Sequence, residues 1–392
     1  MLRQGTDLSE GQTRRGSLWV GAHLAKGQNL ANTIHSIIEM GGNAIQFFLS
    51  SPINSGAGTT LKKSEIETAQ QLRGQIYLIV HGKYILNFCR PRQGSTEWQF
   101  NCLKTDLRQA AQIGADVIIH QGKNLKELGL SPTEAQQTFV NNITAILAET
   151  PELENRIILE NSCQQGTEMG YTVAQLADIF NLIDPEYRPR IGFCLDLCHL
   201  FVSGACDVRS ADAVKTLFDD FERLIGFEYL KVIHFNDSRT AFGACNDNHD
   251  DLLIGQIGNP HLGGSSAGFK TIVKQAKACG IPMILETPRN TVESSTEAQI
   301  NLIRTWANGN QDQEAKYITA NHTAQAEQAL KTPAKKTGQP TCDDSETITD
   351  PEAKLAQFKE TVQANLRPAP EPQSDPAPPT MKLKLTLKPK IV

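Results

Sequence analysis

Eight short apolar runs, each closed by polar residues, set the rhythm of this chain: LWVGAHL, AIQFFL, YLIVHG, VIIHQG, IILEN, IGFCLDLCH, KVIHFND and PMILETP. Runs of this length, rich in Val, Ile, Leu and Phe, predict buried strands. Between them, AKGQNLANTIHSIIEMGG, TEWQFNCLKTDLRQAAQIGA, SPTEAQQTFVNNITAILAET and SSAGFKTIVKQAKACG carry apolar residues at helical spacing. Gly41-Gly42 predicts a helix stop, and Ser131-Pro132 and Ser265 predict helix starts. Strand and helix alternate eight times over about 290 residues, the size and rhythm of an α/β (β/α)8 TIM barrel. An open doubly wound sheet is the runner-up, but it would rarely collect polar residues from all eight strand ends.

Those polar closures are His23, Gln46, His81, His120, Glu160, Asp196, His234 and Glu286. In a closed parallel barrel all eight strand ends meet on one face, where active sites are built. A ring of His, Asp and Glu there predicts a polynuclear metal centre. Glu160 and Glu286 follow IIL and MIL, where a buried carboxylate needs a metal or a basic partner. His81 and His120 end two strands that would be neighbours, which favours a metal pair over two isolated core histidines. Asp196 and His199 are three apart. Asp196 closes its strand and His199 is placed where the chain turns into the following loop, so the two can face neighbouring metals. A zinc site made by Cys194, Cys198 and His199 competes with this, but Cys194 shares the strand parity of Asp196 and no second cysteine pair follows at ligand spacing. Asp247 and His249, two apart in a polar loop, can point into one site from an extended backbone. His23 lies in the same layer and would donate a hydrogen bond from behind the ligands.

Composition narrows the setting. Nine cysteines fall mostly inside apolar runs and predict free thiols in a reducing compartment. The polar start predicts no signal peptide, and no run reaches the length of a membrane span, so a soluble, intracellular monomer without a membrane partner is expected. The net charge of −5 argues only weakly against nucleic acid. Three divalent ions would bring it to about +1, with all the added charge at the site. Residues 1–16 read as a disordered leader, 17–309 as the barrel domain, and 310–392 as a polar, Pro-rich, mostly disordered low-complexity tail. Within the tail, KLAQFKETVQANL reads as a short helix and KLKLTLKPKIV as a basic end whose partner is open. Deleting 310–392 is expected to leave the barrel's activity largely unchanged.

Quoted in order, GAHLA, VHGKYILN, GADVIIHQG, IILENSCQQG, RIGFCLDLCHLF, HFNDS, DNHDDLLIGQIG and ILETP resemble the endonuclease IV family of apurinic/apyrimidinic endonucleases, from about residue 19 to 308. The resemblance implies a (β/α)8 barrel holding three zinc ions, with manganese possible at one position. It implies His81, His120 and Glu160 at the first zinc, Glu160 bridging to a second completed by Asp196, His234 and Glu286, and His199, Asp247 and His249 at the third. Glu160 would also be the catalytic carboxylate. The implied reaction is hydrolysis of the DNA backbone 5′ to an abasic site, leaving a 3′-hydroxyl and a 5′-deoxyribose phosphate, with 3′-end cleaning as a second activity. Double-stranded DNA containing abasic sites is the implied partner, in cytoplasm or nucleus.

Departures from the family pattern cluster at the DNA side. The second βα loop of the family reads like F-x-x-N-P-R-x-W; here it is FLSSPINS, with Ile53 at the position of an inserting Arg. Ile53 can act as an apolar wedge, and Tyr84 matches the second inserting residue. Asn248 replaces an Arg in the D-R-H signature, and Gln164 and Leu253 replace glycines. The alternative function is a single-metal sugar isomerase or epimerase on a related barrel, using Glu160, Asp196, His234 and Glu286 alone. It leaves His81, His120, His199, Asp247 and His249 without a purpose.

Overall fold

A computed structural model describes residues 16–27, 29–55, 60–123, 126–310 and 312–331. In chain order the elements are β1 (Val20–His23), α1 (Leu30–Glu39), β2 (Ala44–Phe48), α2 (Lys63–Gln71), β3 (Tyr77–His81), α3 (Glu97–Gln112), β4 (Asp116–His120), α4 (Pro132–Ala148), β5 (Ile157–Glu160), α5 (Val173–Leu182), β6 (Ile191–Asp196), α6 (Leu197–Val202), α7 (Ala211–Leu224), β7 (Leu230–His234), β8 (Asp237–Ser238), β9 (His249–Asp250), α8 (Ala267–Cys279), β10 (Met283–Leu285), α9 (Thr296–Ala307) and α10 (Asp312–Lys331). Eight strands close in the order β1-β10-β7-β6-β5-β4-β3-β2, with every neighbouring pair parallel. This is the expected TIM barrel, with β10 as its eighth strand; β8 and β9 form a separate antiparallel pair above it.

Strand side chains alternate between two environments, as a period of two requires. One set, Ala44, Tyr77, Ile79, Ile118, Ile158, Cys194, Val232 and Ile284, fills the barrel interior. The other set packs outward against the helices in the larger core. Two residues beyond the last interior side chain of each of these seven strands the next inward position comes up, and there the polar residues stand: Gln46, His81, His120, Glu160, Asp196, His234 and Glu286. The register brings them level, with His120 opposite Glu160 and Asp196 opposite His234. Gly21 lies where β1 and β2 press together; a Cβ there would sit 1.6 Å from the Ala44 carbonyl oxygen.

Local signals are read closely by the helices. Ser131 and Glu134 form a capping box at α4, with Pro132 in its first turn. Gly41, at φ +80°, follows the end of α1. The start expected at Ser265 shifts by one: Ser266 precedes α8. His199, expected in a loop, lies instead on α6, which begins immediately after β6 because the Asp196 side chain caps it by accepting the His199 N–H at 2.9 Å.

The boundary drawn at 309 also moves. α10 continues past it and packs on the barrel domain, burying Ile318 and Asn321 and setting Tyr317 against the core. Glu314 accepts hydrogen bonds from Ser266 (2.6 Å) and Trp306 (3.2 Å) and pairs with Lys270 (2.7 Å). Polar composition hid this helix, because its apolar stripe is only two or three residues wide. The leader before residue 16, and the helix and basic end placed beyond 331, lie outside the described residues. Removing 310–392 should cost about 3 kcal/mol, from lost burial of Ile318 and Tyr317. A thermal melt checks this; a melting point equal to that of the full chain would mean that α10 adds nothing to the domain.

Candidate metal centre and active site

The strand ends converge on Glu160. Its carboxylate is buried, and five histidines stand round it or round its neighbours. Glu160 Oε1 lies 2.9 Å from His234 Nδ1 and 3.6 Å from His199 Nδ1. Oε2 lies 3.4 Å from His81 Nε2 and 3.7 Å from His120 Nδ1. On the other side, His234 Nδ1 is 3.2 Å from Glu286 Oε2 and 3.6 Å from Asp196 Oδ2. Asp247 bridges the outer histidines, with oxygens 3.2 Å from His199 Nε2 and 3.1 Å from His249 Nε2.

Ring orientation is set from behind. His81 Nδ1 donates to the Gly82 carbonyl (2.7 Å), His199 Nδ1 to the Asn161 carbonyl (2.8 Å) and His249 Nδ1 to the Glu286 carbonyl (3.3 Å). Gln46 Oε1 accepts from His234 Nε2 at 2.8 Å. A neutral imidazole that donates through one nitrogen offers a lone pair at the other. In each of these four rings that lone pair points toward carboxylate oxygens, which are themselves acceptors. Glu160 Oε2, His199 Nε2 and His249 Nε2 are buried and have no hydrogen-bond partner. Acceptors facing acceptors in such a space require either a proton on the second ring nitrogen or a metal ion between them.

Potential ligand atoms fall into groups spanning no more than 4.8 Å: His81, His120 and Glu160; Glu160, Asp196, His234 and Glu286; His199, Asp247 and His249. Glu160 is common to the first two. A fourth combination, Asp196, Cys198 and His249, uses a thiol whose pKa burial pushes up, which disfavours the thiolate a metal would need. The competing cysteine site is not supported either: Cys194 faces the barrel interior, its thiol pushed up to about 12 by burial.

Electrostatics point the same way. Burial opposes charge on Glu160, yet His234 and His120 hold its pKa well below the ordinary carboxylate value. Burial likewise opposes charge on His199, but Asp196 and Asp247 raise its pKa well above the ordinary value; His234 is raised too, and His249 reaches about 9. The cluster has an excess of buried negative charge that protons or metal ions must balance.

His23 lies behind the cluster, with Nδ1 3.3 Å from Glu286 Oε1 and 2.9 Å from Gln46 Nε2. Tyr84 leans half-exposed over the site, its ring 5.4 Å from that of His81 and 5.1 Å from that of Phe48. Ile53 stands 70% exposed on the turn after β2, and Asn248 is exposed at the tip before β9. A cavity of about 860 Å3 opens from His81, Glu160 and His249 past Tyr84 towards Trp98 and Arg90. Gln164 and Leu253, at the two positions where the resemblance implies glycine, both hold a left-handed φ of 64°. The loop path is kept at a backbone cost of order 1 kcal/mol each.

Several positioning residues carried no sequence signal of their own. Gln46, placed at a strand end without a role, also donates to Glu286 Oε1 (2.7 Å). Asn161 accepts the Asp196 N–H (2.7 Å), and Asn236 donates to Asp196 Oδ2 (2.7 Å) and accepts the Glu286 N–H (2.8 Å). Lys83 is buried and its ammonium grips the Ser50 hydroxyl and the Ser51 carbonyl (2.7 Å), holding the base of the Ile53 turn. An Asn directly after a strand-end ligand is the one pattern that could have flagged Asn161.

A closed parallel barrel with acidic and imidazole ligands converging at its C-terminal face defines a TIM-barrel enzyme of the metal-dependent kind. A family model described as "Xylose isomerase-like TIM barrel" matches residues 34–306. A relative named "Putative endonuclease 4", from Acanthamoeba polyphaga mimivirus, is 32% identical over 299 residues, covering 73% of this chain and 93% of the relative. Another, named "Probable endonuclease 4", from Halothermothrix orenii, is 30% identical over 297 residues, covering 73% of this chain and 99% of the relative. The crystal structure of endonuclease IV from Thermus thermophilus superposes with a TM-score of 0.60 at 25% identity, over 74% of this chain and 99% of that one. The chain belongs to the endonuclease IV family. Among the described residues no helix is long and apolar enough to cross a membrane.

Proposed function

We propose that this protein is a zinc-dependent DNA-repair hydrolase that cuts the DNA backbone 5′ to abasic sites, leaving a 3′-hydroxyl and a 5′-deoxyribose phosphate, and that it also trims blocked 3′ ends. The observation that carries this reading is the convergence of all nine side chains of the implied ligand set on one cluster, buried at its centre and open at Asp247, with Glu160 common to two ligand groups. His81, His120 and Glu160 would hold one ion; Glu160, Asp196, His234 and Glu286 a second; His199, Asp247 and His249 a third. Bound divalent ions supply a water acidic enough to attack phosphorus near neutral pH and offset charge on the phosphoryl oxygens.

The chain's own residues do the rest. Glu160, common to the first two groups, would be shared between two bound ions. Gln46, Asn161 and Asn236 hold His234, Asp196 and Glu286 in register, so little reorganisation accompanies the reaction. Tyr84 and Ile53 present apolar surface at the rim, suited to filling the gap left in a duplex by a nucleotide turned outwards. An abasic nucleotide has no base to unstack, so it enters the cavity at lower cost than an intact one. Asn248 can accept or donate to the backbone but carries no charge; Arg239, whose guanidinium lies 3.6 Å from Asp250 on the same loop, offers a cation that Asn248 lacks.

The sugar isomerase reading is favoured only by the group of Glu160, Asp196, His234 and Glu286, which would suffice for one ion. It leaves the oriented, unpartnered nitrogens of His199 and His249 without a use. The deciding assay is incision of a duplex carrying one tetrahydrofuran abasic analogue, which resists β-elimination. A single cut on its 5′ side with an extendable 3′-hydroxyl is expected from zinc-loaded protein. No cut would mean that the altered turn at Ser51–Ser55 has changed the substrate, and sugar isomerisation would be assayed next.

A further inference from the structure

The outer ligand group, His199, Asp247 and His249, is the least enclosed of the three. The Asp247 side chain is 41% exposed, against 1% for Glu160 and 0% for Asp196. Asp247 and His249 both belong to the hairpin of β8 and β9, whose strands pair at only two positions, Asp237 with Asp250 and Ser238 with His249. A ribbon that short does not hold its own shape. Its mooring lies two residues beyond His249. Asp251 is fully buried, and its carboxylate accepts the Arg289 and Asn290 N–H groups at 2.7 Å each, the Ser294 hydroxyl at 2.7 Å and Gln299 Nε2 at 3.2 Å. All four donors follow β10 in the chain. Glu286, at the end of β10, is fixed separately, by Asn236 at its N–H and by Gln46 at its carboxylate.

The segment that supplies three of those donors, 289–294, lies outside helix and strand, and Arg289 holds a left-handed φ of 59°, unfavourable for a residue with a Cβ. It is propped from α10. Asn321 is fully buried, and its Nδ2 donates to the Tyr317 carbonyl at 3.0 Å. That bond turns Oδ1 towards Thr291, whose hydroxyl donates to it at 2.6 Å. The single hydroxyl proton of Thr291 is thereby used, and its oxygen can only accept. It accepts the Ser294 N–H at 3.1 Å, and Ser294 Oγ accepts the Thr291 N–H at 3.1 Å. The Ser294 proton is left for Asp251. One order of donors therefore runs from α10 to the hairpin that carries the outer ligands.

We propose that Asn321 is a positioning residue for the outer metal ion: through Thr291, Ser294 and Asp251 it fixes the hairpin that presents Asp247 and His249. The inference rests on the reading of His199, Asp247 and His249 as a metal site. α10 begins six residues past the end of the family match at 306, so this support lies beyond the matched barrel. The ligands of the other two ions stand at the ends of barrel strands, which closure of the sheet already fixes. Only the outer ion takes two of its three ligands from the moored hairpin, so its affinity alone should respond. A group that supports a ligand directly is worth about 10- to 100-fold in metal affinity, and a support acting through three side chains should fall at the lower end.

The test is zinc retention by full-length protein equilibrated at graded, buffered free zinc, with bound metal counted by elemental analysis. The parent should hold three ions and release one before the other two, and His249→Ala should lack that first-released ion. Asn321→Ala is expected to release the same ion at about tenfold higher free zinc, with the other two unmoved. Thr291→Val should match it, and the double variant should be no worse than either. Thr291→Ser keeps the hydroxyl and should restore retention to within about twofold of the parent. Parental zinc release by Asn321→Ala would overturn the proposal, and with a lowered melting temperature it would leave Asn321 a merely structural residue of α10. Earlier release of all three ions together would overturn it as well, and so would a parent that never holds a third ion. Failure of the parent to cut an abasic duplex would sink the hydrolase reading alone, and the zinc measurement would still decide the inference.

Discussion

Glu160→Gln is expected to abolish incision, lowering kcat by about 10^3-fold or more, while the protein stays folded. The substitution keeps shape and removes one negative charge. It also turns one of two oxygens into an amide that can donate to the lone pairs of His81 or His234, which now lie 3.4 and 2.9 Å from the carboxylate. A neutral amide cannot span two cations as a carboxylate does. Because the new N–H finds ready acceptors, no unpaired buried charge is created and the barrel should not unfold. The check is single-turnover cleavage of the abasic duplex together with zinc content and a thermal melt. Near-normal incision would remove Glu160 from the centre of the chemistry; loss of folding would mean that its charge is structural first.

Stripping the metal should have the second-largest effect. Dialysis against a strong chelator is expected to end incision and lower the melting temperature by on the order of 10 °C, since each tightly held ion contributes about 4 kcal/mol at a thousandfold excess over Kd. Zinc should restore both. The stripped protein should also acquire a pH dependence that the loaded protein lacks. Without cations, protons on His199, His234 and His249 balance the carboxylates. These folded-state pKa values are raised, so the stabilisation is fully present below the ordinary histidine value of 6.5 and is lost as pH rises towards about 9 for His249. Melts of stripped protein from pH 6 to 9 should therefore decline, and those of loaded protein should stay nearly level. Equal melting curves with and without chelator would argue against any resident metal.

All eight barrel strands were legible in the chain. Each is a short apolar run, burial on both faces makes such runs nearly continuous, and a polar residue at the same inward position ended most of them. His81, His120, Glu160, Asp196, His234 and Glu286 could be picked out because strand parity places them one step above the apolar interior. Asp247 and His249 were less visible from spacing alone, since a D-x-H in a polar loop occurs without purpose; the hairpin of β8 and β9 is what turns them inward.

Tertiary structure decided the rest. His199 sits on a helix and not in a loop, because Asp196 both closes β6 and caps α6, a double use that a linear reading cannot see. The roles of Gln46, Asn161, Asn236 and Lys83 depend on partners 30 to 240 positions away, and so does the reach of α10 through Asn321 to Asp251. Periodicity reports how each segment is solvated, a local property written into every few residues. By itself the sequence determined the barrel and the inward-facing ligand types. Which polar atoms meet, and which are left facing one another without a proton between them, depends on distances set only when the eight strands close.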